Sequence, residues 1–111
     1  MYIGENHGKN KIGQARFELD KNGKAAYINT NLNPKFFGKG LGSIFIKLAT
    51  KAYLAENPKI KEVFARILDR NAISKKVFAR SGYVFRRNLY RNGKKISIFR
   101  FRKDLSWRFY L

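Results

Sequence analysis

The chain has 111 residues, enough for one domain and short of two. Its 44% hydrophobic and 15% aromatic content excludes intrinsic disorder, and with no cysteine and one histidine it excludes a disulfide framework and any thiolate or histidine-rich metal site. Lysine and arginine total 25 against 7 aspartate and glutamate, a formal charge of +18, which implies either a generally basic surface or a polyanionic partner, nucleic acid being the obvious candidate.

Met1–Glu5 reads as a short strand that leads straight into polar residues rather than into the apolar core of a leader peptide. His7-Gly8-Lys9-Asn10 has turn chemistry. Lys11–Leu19 alternates Ile12, Gln14, Arg16 and Glu18 against Gly13, Ala15, Phe17 and Leu19, the pattern of a half-buried strand. Asn22-Gly23 marks a tight turn, and Ala25–Leu32 returns as a third antiparallel strand.

The rest of the chain is organised around Leu32–Ala55, LNPKFFGKGLGSIFIKLATKAYLA. Asn33-Pro34 ends a strand, a loop follows with glycines at 38, 40 and 42, and a helix starts at once. Glycines let backbone N–H groups turn inward, and the helix adds the positive end of its dipole, so the stretch is an anion cradle. Leu41, Ile44, Phe45, Leu48, Ala49, Ala52 and Tyr53 fall at helical spacing and predict the apolar face. Glu56-Asn57-Pro58 breaks the helix, and Val63–Leu68 (VFARIL) reads as a strand buried on both faces, parallel to Ala25–Leu32 because a helix joins the two. A shorter helix follows over Ala72–Arg80, with Asn71 as N-cap and Gly82 at its end. Tyr83–Tyr90 and Lys94–Lys103 are two further strands joined by Asn92-Gly93, with Tyr83 and Phe85 expected in the core. The aromatic tail Leu105–Leu111 is expected to dock on the domain or on a partner. No apolar run approaches the ~20 residues of a membrane span, so a cytoplasmic protein is the simplest expectation. The order β-β-β-α-β-α-β-β predicts a single α/β (α+β) domain, residues 1–111, with a mixed, mostly antiparallel sheet.

From Ile3 to Arg102 this order resembles the GNAT superfamily of acyl-CoA-dependent N-acyltransferases. Two motifs carry the resemblance. Phe37-Gly38-Lys39-Gly40-Leu41-Gly42 stands for the family's Arg/Gln-x-x-Gly-x-Gly/Ala, with Phe37 at the Arg/Gln position, and Asn71, Ser74, Gly82 and Tyr83 stand for its Asn-x-x-Ser…Gly-aromatic signature. The resemblance implies acetyl-CoA as acyl donor. Its pyrophosphate would lie on the amides of Phe37, Gly38, Lys39, Gly40, Leu41, Gly42 and Ser43, and its pantetheine arm along Ile28, Asn29, Thr30, Asn31 and Leu32. Asn71 and Ser74 would stand beside the arm, with Lys39, Lys75 or Lys76 reaching the phosphates.

The family's tyrosine acid would fall four residues before Gly82, where Phe78 stands, and the strand that often carries a glutamate base has no carboxylate. Glu18 on the neighbouring strand, Asn29 or Asn31 holding a water, and Tyr27 are the substitutes. The family's first strand and first two helices have no counterpart in this sequence, so either the chain is a fragment of a longer protein or a second copy or a partner chain would cover the acceptor side. The function implied is N-acetyl transfer to an amine, with an amino sugar on a nucleotide carrier as the nearest look. The competing reading is a non-catalytic basic module that binds RNA or serves as a subunit of a larger assembly.

Overall fold

A computed structural model of the chain describes residues 2–5, 11–36, 38 and 40–103. The expected turn at His7–Asn10, Phe37, Lys39 and the aromatic tail lie outside the described residues. Six strands form one sheet: β1 (Tyr2–Glu5), β2 (Lys11–Leu19), β3 (Ala25–Leu32), β4 (Glu62–Leu68), β5 (Val84–Arg91) and β6 (Lys94–Arg102). Their spatial order is β1-β2-β3-β4-β6-β5, antiparallel throughout except for the β3–β4 pair. Helix α1 (Leu41–Glu56) connects the two parallel strands and α2 (Ala72–Arg80) follows β4. A single 3₁₀ turn, Pro34–Phe36, precedes the glycine loop and has no signal in the sequence pattern.

Both helices pack on one face of the sheet. Ala15, Ile28, Val63, Ala65, Phe99 and Phe101 meet Phe45, Ile46, Ala49 and Leu54 of α1 and Phe78 of α2 in one core. Phe17 stacks on Tyr53, with ring centres 4.3 Å apart. Tyr83, which falls just before β5 rather than in it, sits between Phe78 and Phe101 at 5.0 and 5.3 Å.

The buried face of α1 is rotated from the one its apolar spacing predicts. Ser43, Ile46, Thr50 and Leu54 are buried, whereas Ile44 and Leu48 are 56% and 62% exposed. Two contacts set this rotation. A Cβ on Gly42 would stand 3.3 Å from the Leu32 side chain, so the first turn lies close on β3, and Thr50 Oγ1 meets the buried Tyr83 hydroxyl at 2.7 Å. Burial pushes the Tyr83 phenol above its ordinary pKa, so it stays neutral and needs a hydrogen-bond partner. Thr50→Val should therefore cost about 1–3 kcal/mol in urea unfolding, and adding Tyr83→Phe should recover most of it because no unpaired hydroxyl then remains.

Two burial expectations fail. Val63, Ala65 and Ile67 are buried, but Phe64 and Leu68 are only half-buried and Arg66 is exposed, so β4 is covered on one face alone. Phe85 lies beside core Phe99, with ring centres 5.7 Å apart, yet is 48% exposed, because β5 is an edge strand that pairs with β6 only. No helix among the described residues is long and apolar enough to cross a membrane.

Candidate functional site

The parallel ladder is short. Ala25–Ile28 of β3 pair with Glu62–Ala65 of β4, and there the pairing stops. Beyond that point β3 stays bound to β2 as far as Leu32 opposite Gly13, and β4 stays bound to β6 as far as Leu68 opposite Ile96. Each strand is held by its outer neighbour, so the inner edges of Asn29–Leu32 and Arg66–Leu68 diverge into a fork. Backbone groups along such edges need partners, and a ligand that carries amides can supply them. The fork holds a cleft of about 250 Å³ whose floor includes Ile28, Ala65 and Ile67, and α2 closes it with Asn71, Ser74 and Phe78.

The glycine loop stands at the end of β3. Asn33 fixes this corner: its N–H donates to the Ile12 carbonyl at 2.8 Å, its side-chain amide donates to the Lys11 carbonyl, and its Oδ1 accepts from the Lys35 N–H. Gly38 and Gly40 have φ of 78° and 76°, in the left-handed region, and a Cβ on either would project into open space. The first hydrogen bond of α1 runs from the Ile44 N–H to the Gly40 carbonyl. No side chain caps the helix, and the Ser43 hydroxyl donates back to the Gly40 carbonyl. The amides of Leu41, Gly42 and Ser43 therefore have no acceptor among the described residues, at the positive end of a 16-residue helix. Such a terminus suits a diphosphate, and the vacant volume above Gly38 and Gly40 gives it room.

At α2 the two expected roles of Asn71 are compatible. Its Oδ1 caps the helix by accepting the Ser74 N–H at 3.1 Å, which leaves the side-chain NH₂ with no described acceptor at the rim of the fork. The lysines fare differently. Lys75 is tied to Asp69 by an ion pair of 3.0 Å and a second bond to the Asp69 carbonyl, which takes it away from any phosphate. That lysine and the Ser97 hydroxyl hold the Asp69 carboxyl below its ordinary pKa. Lys76 lies on the exposed side of α2, lining neither the fork nor the glycine-loop hollow. Among the described residues, the cation that shares a hollow with Gly38, Gly40 and Gly42 is Arg80, one turn beyond Val77 on α2. Its spacing from Val77 was the available signal, but only the packing of α2 beside α1 turns that stripe toward the loop.

Among the described residues no carboxylate, imidazole or phenol lines the fork, and Phe78 stands in its wall. Tyr83 gives its hydroxyl to Thr50 in the core, so it is no substitute acid. Three of the residues expected to supply a base come together on the sheet face away from the helices: Glu18, Asn29 and Asn31 line a polar hollow of about 270 Å³ with Gln14, Arg16 and Thr30. Asn29 and Thr30 border this hollow and the fork alike. Tyr27 lies opposite Glu18 in the β2–β3 ladder, where the Arg66 guanidinium covers its ring at 4.3 Å. Arg66, which sequence reasoning missed, is the one charged side chain in the fork among the described residues.

Among solved structures, an aminoglycoside acetyltransferase AAC(6')-Ib in complex with coenzyme A and kanamycin superposes on this chain with a TM-score of 0.77 at 15% identity, over 93% of this chain and 66% of the other. The spermidine N-acetyltransferase SpeG of Vibrio cholerae gives 0.74 at 18% identity, over 90% and 63%. A putative phosphinothricin N-acetyltransferase gives 0.70 at 21% identity, over 92% and 70%. This is the GNAT fold. No family model matches the sequence. By sequence, the spermine/spermidine N(1)-acetyltransferase of Bacillus subtilis (strain 168) is 31% identical over 81 residues, 73% of this chain. The chain spans about half, 53%, of the length of that curated relative. Forked strands, glycine loop and capped second helix thus occupy one GNAT fold, with both helices on the same side of its sheet.

Proposed function

We propose that this chain is the acyl-CoA-binding core of an acetyl-CoA-dependent N-acetyltransferase. The observation that carries the reading is the N-terminus of α1, where three amides have no acceptor among the described residues, beside the open volume over Gly38 and Gly40 at the open end of the β3–β4 fork. Acetyl-CoA has a diphosphate for the cradle and a pantetheine arm whose two amides match the free edges of the fork. The solved relatives that carry coenzyme A, and the polyamine and aminoglycoside substrates in their names, support the same assignment.

In the transfer itself, the acceptor nitrogen attacks the thioester carbonyl, a C–N bond forms, the C–S bond breaks, and the ammonium proton leaves for solvent. This chain's part is to hold the carbonyl near the apex at Ile28–Asn29, with inner-edge amides of β3 facing the oxyanion. Without a phenol in the fork, the thiolate leaves toward the Arg66 guanidinium or is protonated by water. Glu18, with Asn29 and Asn31, is placed to draw the acceptor's proton away through water.

The test is calorimetric binding of acetyl-CoA to the chain, followed by thiol release on adding an amine. A chain that bound no acetyl-CoA would refute the assignment. Arg80→Ala should raise the acetyl-CoA Kd about tenfold, the size of one lost charge-assisted hydrogen bond, with little change in melting temperature.

A further inference from the structure

The sheet face away from the helices carries the most unusual chemistry outside the fork. A hollow of about 370 Å³ spans β3, β4, β6 and β5 there, and its cations are Arg66, Arg86, Arg87, Arg91 and Arg100. No carboxylate among the described residues lines it. Arg100 is bonded to Glu62 at 3.4 Å, but no described acidic side chain pairs with Arg66, Arg86, Arg87 or Arg91. Arg86 and Arg87, consecutive in sequence, both reach the hollow because the β5–β6 register slips between Phe85 and Arg87. The floor is apolar and aromatic, with Tyr27 and Phe64 5.8 Å apart on the two central strands. Four guanidinium groups without a described acidic partner around one concavity repel one another, and a bound anion relieves that repulsion. Arg66 lines this hollow and the fork together, so a ligand seated here has a direct path to the transfer site.

We propose that this hollow binds the phosphate-bearing part of the acceptor, so that the acceptor is an amine carrying a phosphate or nucleoside diphosphate and not a polyamine. The inference rests on the acetyltransferase reading and sharpens it. The phosphates lie among the arginines, any base or sugar ring packs on Tyr27 and Phe64, and the amine extends past Arg66 to the fork. The same field repels the polycations named for the similar enzymes, since spermidine and kanamycin would enter a ring of like charge.

The experiment uses the full chain saturated with coenzyme A, so that the loop's own anion site is filled, and measures UDP and glucosamine 6-phosphate binding by calorimetry. Binding of either is expected, and which of the two binds tighter distinguishes a nucleotide from a simple phosphate ester. Arg87→Ala with Arg91→Ala should weaken it at least tenfold, while Lys47→Ala with Lys59→Ala, the same charge removed elsewhere, should leave it unchanged. In turnover, glucosamine 6-phosphate should show a KM at least tenfold below that of glucosamine. If neither phosphate compound binds while acetyl-CoA does, or if the two double variants lose affinity equally, the acceptor proposal is overturned and the acetyltransferase reading stands. If acetyl-CoA itself fails to bind, both fall. A single-stranded RNA that binds through Arg87 and Arg91 more tightly than UDP at 150 mM salt would also overturn it, in favour of a nucleic-acid surface.

Discussion

Gly40→Val is expected to abolish the rise in melting temperature that acetyl-CoA gives the unaltered chain. A ligand at a hundredfold excess over Kd stabilises the native state by ~2.7 kcal/mol, which for a domain of this size is roughly 10 °C or more. The substitution acts in two ways that can be separated. Gly40 has φ of 76°, where a side chain costs about 1–2 kcal/mol, so the variant melts lower even without ligand. Its Cβ also enters the open volume that the diphosphate would use. Gly93→Val is the matched control: φ is 75°, nothing lies within 4 Å of the added Cβ, and the residue turns the corner between β5 and β6 away from the cradle. That control should melt lower by a similar amount and keep its full response to acetyl-CoA. Retention of the response in Gly40→Val would move the cofactor elsewhere.

Asn71→Asp should leave stability almost unchanged and weaken acetyl-CoA binding by about tenfold to a hundredfold. Aspartate caps a helix as well as asparagine does, so the bond to the Ser74 N–H survives. The side-chain NH₂ at the rim of the fork is replaced by a charged oxygen that faces the carbonyls and phosphates of the ligand, a loss of about 1.5–3 kcal/mol. Asn71→Ala should instead lower both stability and affinity, because cap and donor go together. Equal affinity for acetyl-CoA in Asn71→Asp and the unaltered chain, measured by calorimetry, would reduce Asn71 to a helix cap.

The names of the similar enzymes give polyamines and aminoglycosides, whereas the face beside this chain's fork gathers arginines on an aromatic floor. Under the proposals above, one fold supports both acceptor classes, because fork and cradle would take the donor while the opposite face of the sheet would meet the acceptor.

Local chemistry was legible from the residues. Alternation in Lys11–Leu19, the Asn-Gly turns and the glycines before Leu41 set the element order and most boundaries to within a residue, because these signals depend on neighbours a few positions away. The helix start at Leu41 and the cap at Asn71 were readable for the same reason. What could not be read was which side each side chain would find occupied. VFARIL has the apolar run of a strand covered twice, yet helices cover it once, and that leaves Phe64 and Leu68 beside the arginines. Lys75 and Arg80 look equivalent on a helix of nine residues, but Asp69 claims the first and the packing of α2 on α1 turns the second to the glycine loop. Ile44 and Leu48 fit the apolar stripe of α1, and Thr50 with Tyr83 rotated it away from them. Sequence by itself determined the elements, their order and the cradle, since those follow from backbone geometry and nearest-neighbour sterics. The fork, the partner of each charge and the arginine-ringed face were decided only by tertiary structure, because they depend on contacts between residues tens of positions apart.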